Sequence, residues 1–188
     1  MKVFNGISNI DESYPYQYYG KALVYSDAKN VEEAVKNLKK YLELDKKGSK
    51  SIIKNESGFE KIKDTPQFIR LVAPGVKVDG KTLEFEVPPT EIQGRILLPV
   101  RAILESLGAE VKWDPDTKTA TATKGSIKVT LTLDSKEATV NGEKVTLDVA
   151  AVEKDGRILV PARFIAQSLG AKVDWDVDTE TAVITSAK

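Results

Sequence analysis

The chain contains no histidine and no cysteine among its 188 residues. Without His it lacks the commonest general base and the commonest transition-metal ligand. Without Cys it has no thiol nucleophile, zinc–thiolate site, iron–sulfur cluster or disulfide. No cofactor or metal is therefore expected, and catalysis would have to run on carboxylates, Lys, Tyr or a Ser–Lys pair. Nor is charge of one sign in surplus, since 28 basic residues cancel 28 acidic ones. Nucleic-acid binders draw most of their affinity from a basic excess that neutralises phosphates, so neither a nucleic-acid partner nor a polybasic membrane anchor is expected. Apolar runs such as Ile96–Pro99 fall far short of the roughly 20 residues a membrane helix needs, which argues against membrane insertion. Residues 1–8 lack a long apolar core and do not read as a signal peptide.

What is present divides near residue 73. Apolar side chains at Val31, Ala34, Val35, Leu38, Tyr41 and Leu42 form an i, i+3, i+4, i+7 stripe, the mark of an amphipathic helix. Asn30 with Glu33 makes a capping-box start, and Lys39 and Lys40 suit its C-terminal end, with Gly48 beyond. Residues 13–28 are expected to form the preceding helix, with Tyr18, Ala22 and Tyr25 on one face, closing an antiparallel hairpin. A helical piece around Ser51, Ile52 and Ile53 follows. Thr65-Pro66 then opens a short last helix carrying Phe68, Ile69 and Leu71.

This segment resembles a tetratricopeptide repeat. Ala34 and Leu38 match the small and large positions of the family's second helix, which sets Tyr18, Ala22 and Tyr25 at packing positions in the first. The stretch from Ser57-Gly58-Phe59 to Phe68 is similar to the closing helix that follows such repeats. Lys21 and Lys46 depart from the family's preferred Leu and Pro, and a single repeat is present. The resemblance implies that Tyr16, Tyr19, Leu23 and Ser26 line a ligand-facing groove, making them candidates for contact with a protein partner.

After Ala73-Pro74-Gly75 the periodicity changes to two, the strand signature. From here the sequence repeats itself without a gap: residues 76–123 recur as 138–185 at an offset of 62. Each repeat opens on a hairpin dipeptide that accepts positive φ, Asp79-Gly80 or Asn141-Gly142. Pro99 and Pro161 start a short helix that Gly108 and Gly170 end. A strand with Val111 and Trp113, or Val173 and Trp175, on its apolar side follows, then a turn and a Thr-rich return strand. Residues 127–133 alternate strictly, have no counterpart after the second repeat, and are expected to tie the two repeats into one sheet system. The fold class expected is α+β: a helical hairpin module over 1–73, then a duplicated hairpin–helix–strand domain with antiparallel sheet over 74–188.

The pattern Gly94-Arg95-x-Leu97-x-Pro99-x-Arg101, Leu107-Gly108-Ala109-x-Val111-x-Trp113-Asp114 is met again at Gly156, Arg157, Leu159, Pro161, Arg163, Leu169, Gly170, Ala171, Val173, Trp175 and Asp176. It closely resembles the copper amine oxidase N-terminal-like, or stalk, domain over about residues 74–186. The resemblance implies an antiparallel sheet curled around helices, used as an accessory module in exported and cell-envelope proteins of Gram-positive bacteria. It also implies no copper here, because the family's copper is held by His residues of a separate catalytic domain.

Within the repeated motif, Asp114-Pro115-Asp116-Thr117 and Asp176-Val177-Asp178-Thr179 read as hairpin turns whose Asp side chains bond backbone amides. Two carboxylates do not fill a calcium site, which needs roughly six or more oxygens. Arg101 and Arg163 are expected to stack on the neighbouring Trp or to pair with Asp114 and Asp176. Trp113 and Trp175 are expected in the core. The function expected is a non-catalytic interaction or scaffold protein of the cell envelope or exterior, with a protein partner on the helical module. A glycan or cell-wall binding module is the alternative, which exposed Trp113 or Trp175 would favour. A carboxylate-dependent hydrolase would need two acids facing each other at roughly 5–9.5 Å, and no sequence feature supports one.

Overall fold

The computed structural model describes residues 11–45 and 50–187, which divide into two compact units at Ala73/Pro74. Lys46 and Gly48 lie outside the described residues. The first unit is helical: α1 (Pro15–Asp27), α2 (Val31–Leu44), α3 (Lys50–Asn55), a 3-10 turn (Ser57–Phe59) and α4 (Pro66–Val72). Asn30 caps α2 by accepting from the Glu33 amide at 3.2 Å, and Pro66 enters α4 in its first turn. Ala22, Ala34, Leu38 and Ile53 meet Phe59, Ile62 and Phe68 in a sealed core. Small residues at 22 and 34 let α1 and α2 approach closely, and the aromatic rings fill the remaining space.

In the second unit, the first repeat contains β1 (Gly75–Val78), β2 (Lys81–Thr82), β3 (Thr90–Ile92), β4 (Arg95–Pro99), α5 (Val100–Ser106), β5 (Glu110–Asp114) and β6 (Thr119–Lys124). After β7 (Ile127–Thr132) come β8 (Glu137–Val140), β9 (Glu143–Thr146), β10 (Val152–Lys154), β11 (Arg157–Pro161), α6 (Ala162–Ser168), β12 (Lys172–Asp176) and β13 (Thr181–Thr185). Each element from β1 to β6 recurs with its first residue 62 positions later. The opening turns carry positive φ at both residues, 48° and 79° at Asp79-Gly80 and 53° and 87° at Asn141-Gly142, as a type I′ turn demands. Pro99 and Pro161 close β4 and β11 and cap the helices they were expected to start.

Three sheets form among the described residues. The central one runs β10-β11-β4-β3. Its middle pair sets Leu97 opposite Pro161, Leu98 opposite Val160 and Pro99 opposite Leu159. Leu98 and Val160 are themselves 62 apart, so strand β4 pairs with its own repeat about a local two-fold axis through that residue pair. Both faces of the pair are buried. Leu98 and Val160 join the main core with Ile103, Leu104 and Ile165, while Leu97 and Leu159 meet Val87 and Val149 on the other side.

The outer sheets run β5-β6-β7-β8-β9 and β12-β13-β1-β2. β7 stands between β6 and β8 and so joins the two repeats in one antiparallel ladder. No strand separates β13 from β1, which pair directly and in parallel, Gly75 facing Thr181 and Val78 facing Ile184. The antiparallel sheet expected is found in the other strand pairs, and this parallel pair is the exception. A parallel ladder needs a long crossover, and here the crossover is nearly the whole unit. Gly75 is required there, because a Cβ would stand 2.6 Å from Thr181 Oγ1. Asp79 clamps the far end, accepting from the Ser186 amide and hydroxyl, each at 2.8 Å.

Candidate functional site: the Trp113 groove

A groove of about 470 Å³ opens on the second unit, within the range of roughly 300–1,000 Å³ usual for ligand pockets. The apolar part of its lining comes from Phe85, Val87, Val100, Val111, Trp113 and Ile158. Glu84, Glu86, Glu105, Glu153, Arg101 and Arg157 supply the charge. The two repeats build it together, since Glu153, Arg157 and Ile158 belong to the second.

Trp113 is 37% exposed and Trp175 44% exposed, so neither is the core residue expected. Alternation identified the correct face: Trp113 lies opposite buried Ala120, and Trp175 opposite buried Ala182. What it could not give is the extent of the cover. Helix α5 has 7 residues and spans about 10 Å. Strand β5 has 5 and spans about 17 Å, at the edge of its sheet. The indole at the strand's outer end is left standing in the groove wall.

Arg101 does not pair with Asp114. Its Nη1 donates to the Val111 carbonyl at 3.1 Å and lies 3.5 Å from Glu105 Oε1, one helical turn away. Set in the first turn of α5, it meets β5 at Val111, three residues short of Asp114. The guanidinium thereby covers a carbonyl of an edge strand. Arg163 lies exposed and does not pair with Asp176. The Asp148 carboxyl is held low first by the Arg95 hydrogen bond and charge, with the Arg163 charge a smaller contribution.

Asp114 and Asp176 are spent on their turns. Asp114 accepts from the amides of Asp116 and Thr117 at 3.0 and 3.3 Å, and Asp176 from those of Asp178 and Thr179 at 3.0 and 3.2 Å. Hydrogen bonds from the Thr117 and Thr179 side chains, then from the amides, hold both carboxyls below the ordinary value. A depressed folded pKa means the stabilisation is present above about pH 4 and is lost as pH falls through the folded value. Asp114→Asn combined with Asp176→Asn keeps the amide acceptors. It should flatten the acid side of a melting-temperature profile below about pH 4. An unchanged acid profile would count against this role.

Sequence reasoning missed the function of the other arginine in the motif. Arg95 Nε donates to Asp148 Oδ2 at 2.7 Å, and Arg157 Nη2 donates to Glu86 Oε2. Each arginine reaches into the opposite repeat. The signal was present, since acids stand at both 86 and 148, 62 apart like the arginines. With side chains half or more exposed, each pair contributes about 0–1 kcal/mol and fixes orientation more than stability.

Three of the four residues expected to line a groove on the helical unit pack wholly or partly against the same chain. Ser26 is fully buried and donates to the Gly58 carbonyl at 2.7 Å. Leu23 lies on the same 3-10 turn: a Cβ on Gly58 would stand 2.3 Å from Leu23 Cδ2. The Tyr19 ring lies tilted against Tyr41 and edge-to-face with Phe59, centroids 5.1 and 5.7 Å away, and its hydroxyl donates to Glu56 at 3.3 Å. Burial, with the Glu56 charge beside it, pushes its hydroxyl up to about 12. Tyr16 alone of the four presents most of its surface, 56% exposed beside Tyr14.

Residues 77–184 match the copper amine oxidase N-terminal domain. A protein from Brevibacillus choshinensis named protease inhibitor is 31% identical over 108 residues, covering 57% of this chain and 33% of that protein. The chain thus spans about a third of the length of the curated relative it matches. The residues present do not fit a copper ion. There is neither His nor Cys, and among the described residues no three acidic side chains gather as a ligand set. With more than half of its length in that match, the chain belongs to the copper amine oxidase N-terminal domain family.

Proposed function

We propose that the chain is a non-catalytic binding module of the bacterial cell envelope or exterior, and that its ligand is a carbohydrate held beside Trp113. The observation that carries this reading is the exposed indole on the wall of a half-apolar groove. A pyranose ring presents an apolar face that an indole can cover, while carboxylates and guanidiniums bond its hydroxyls. Sites with an apolar body and a few placed polar groups bind small ligands in this way. The non-catalytic part is supported by the family match, which is to the N-terminal rather than the catalytic part of amine oxidases.

Trp113→Ala in the full chain should weaken binding to solubilised cell-wall glycan at least tenfold, about 1.4 kcal/mol, in isothermal titration. Its melting temperature should fall by a few degrees only, since Trp113 is 37% exposed and the rest of the indole is covered, so binding is compared at a temperature where both chains are folded. Tyr16→Ala should leave glycan binding unchanged. Undiminished glycan binding by the Trp113 variant would remove the groove from the mechanism.

A second reading, protein contact through the helical unit, is favoured by the exposed rings of Tyr14 and Tyr16, 5.8 Å apart. The relative's name, protease inhibitor, fits a protein-binding role. On this reading residues 15–72 are a tetratricopeptide-like module whose contact surface centres on Tyr16, Ser26 being buried and Tyr19 and Leu23 partly buried. Loss of a captured envelope protein by Tyr16→Ala, with Trp113→Ala neutral, would select it.

A further inference from the structure

The repeated architecture supplies an internal control for deciding which groove residues serve the fold. A residue needed for the fold is needed in both repeats; one kept in a single repeat is free to serve something else. The paired groups Arg157–Glu86 and Arg95–Asp148 recur at the 62-residue offset and orient the repeats. Glu153 has its counterpart in Glu91. Glu84 and Glu105 do not recur as acids, their counterparts being Thr146 and Gln167.

The consequence is a charge difference between equivalent surfaces. The Trp113 groove carries four carboxylates, at 84, 86, 105 and 153, against two guanidiniums, at 101 and 157. The equivalent positions of the other repeat carry two acids, Asp148 and Glu91, against Arg163 and Arg95. One set is net negative by two in a chain whose total charge is zero, and the other is neutral. Both groove guanidiniums already face carboxylates, Arg157 at Glu86 and Arg101 at Glu105. The Glu84 and Glu153 side chains, both exposed, carry the uncompensated charge beside the indole.

We infer that the Trp113 groove selects a cationic amino sugar, a glucosamine unit with a free ammonium group, over its N-acetylated form. This rests on the carbohydrate reading above and names the sugar class. The indole covers the apolar ring face in either form. The net negative lining attracts the ammonium, a charge that N-acetylation removes by turning the amine into a neutral amide. At neutral pH the attraction is exposed to solvent, so it is screened by salt.

The test is titration of the full chain with the tetramer of glucosamine and the tetramer of N-acetylglucosamine, at a pH that keeps the free amine protonated. The glucosamine tetramer should bind at least tenfold tighter. Glu84→Thr combined with Glu105→Gln gives the groove the other repeat's residues and should reduce the preference to about twofold or less. Glu84→Gln alone touches a side chain exposed on the surface and should lose part of the preference even if the double variant folds poorly. Raising the salt from 50 mM to 0.5 M should erode the preference in wild type, the Debye length falling from about 14 Å to about 4 Å.

Equal affinity for the two tetramers overturns this inference and leaves the carbohydrate reading standing. Binding of neither overturns both. A further titration with tetralysine separates sugar from charge. Affinity equal to that for glucosamine, lost in the same variants, overturns the inference in favour of a cationic peptide.

Discussion

Truncation after Glu180 is expected to unfold the unit from Pro74 onward rather than shorten it. Strand β13 is interior to its sheet, with β12 on one side and β1 on the other. Its removal strips β12 of its partner and leaves β1 and β2 as an isolated pair, which is marginal in water. Ile184 is fully buried, and Ala182 nearly so. Losing the Ile184 side chain alone costs about 2–5 kcal/mol. With the ladder and the Asp79–Ser186 clamp gone too, the loss is comparable to the roughly 5–15 kcal/mol that holds a domain folded. The measurement is the near-UV circular dichroism and thermal transition of the truncated chain. A cooperative transition within a few degrees of wild type would show that β13 is dispensable.

Leu98→Ala is expected to cost about 2–5 kcal/mol, seen as a fall of at least about 8 °C in melting temperature. Leu98 is fully buried at the local two-fold axis, where it faces Val160 directly across the strand pair. Val160→Ala should be damaging as well. Because the two residues touch, their effects should not add: a double-mutant cycle should return a coupling of about 0.5–3 kcal/mol. The same cycle on Leu98 and Leu131, which share the core but no ladder register, should return less. Strict additivity at 98 and 160 would mean that the axis is a coincidence of register and not a packing unit.

Local chemistry was legible in the sequence, and long-range closure was not. Asp79-Gly80 and Asn141-Gly142 identify their turns because few residue pairs tolerate two positive φ values in succession. Asn30 identifies the start of α2 because its side chain replaces a missing helical bond. The strand over 127–133 was correctly read as a tie between the repeats, since it had to pair somewhere and its neighbours in sequence were strands. The β1–β13 pairing joins residues more than a hundred positions apart, and no local pattern encodes it.

The groove was partly legible. Period-two alternation puts Trp113 and Trp175 on the apolar side, which is where they lie. Whether that side is covered depends on the length of α5 against β5 and on β5 being an edge, both products of assembly. The helical unit shows how a chain can use such positions on itself. Tyr19, Leu23 and Ser26 pack wholly or partly against Glu56, Gly58 and Phe59 of the same chain, contacts that no local pattern announces.

The parallel pairing of β1 with β13 also fixes how the unit answers a mechanical load. The chain enters this unit at the start of β1 and leaves it at the end of β13. A pull on the two ends therefore drags neighbouring parallel strands past each other along their own axes. Every bond of that ladder, from Gly75 N to Glu180 O through Asp79 N to Ile184 O, is stretched at once. Antiparallel neighbours pulled at adjacent ends would instead unzip one bond at a time. A unit wired in this way resists extension until the whole ladder shears, so stretching by atomic force should give one high rupture peak, lowered by Gly75→Val.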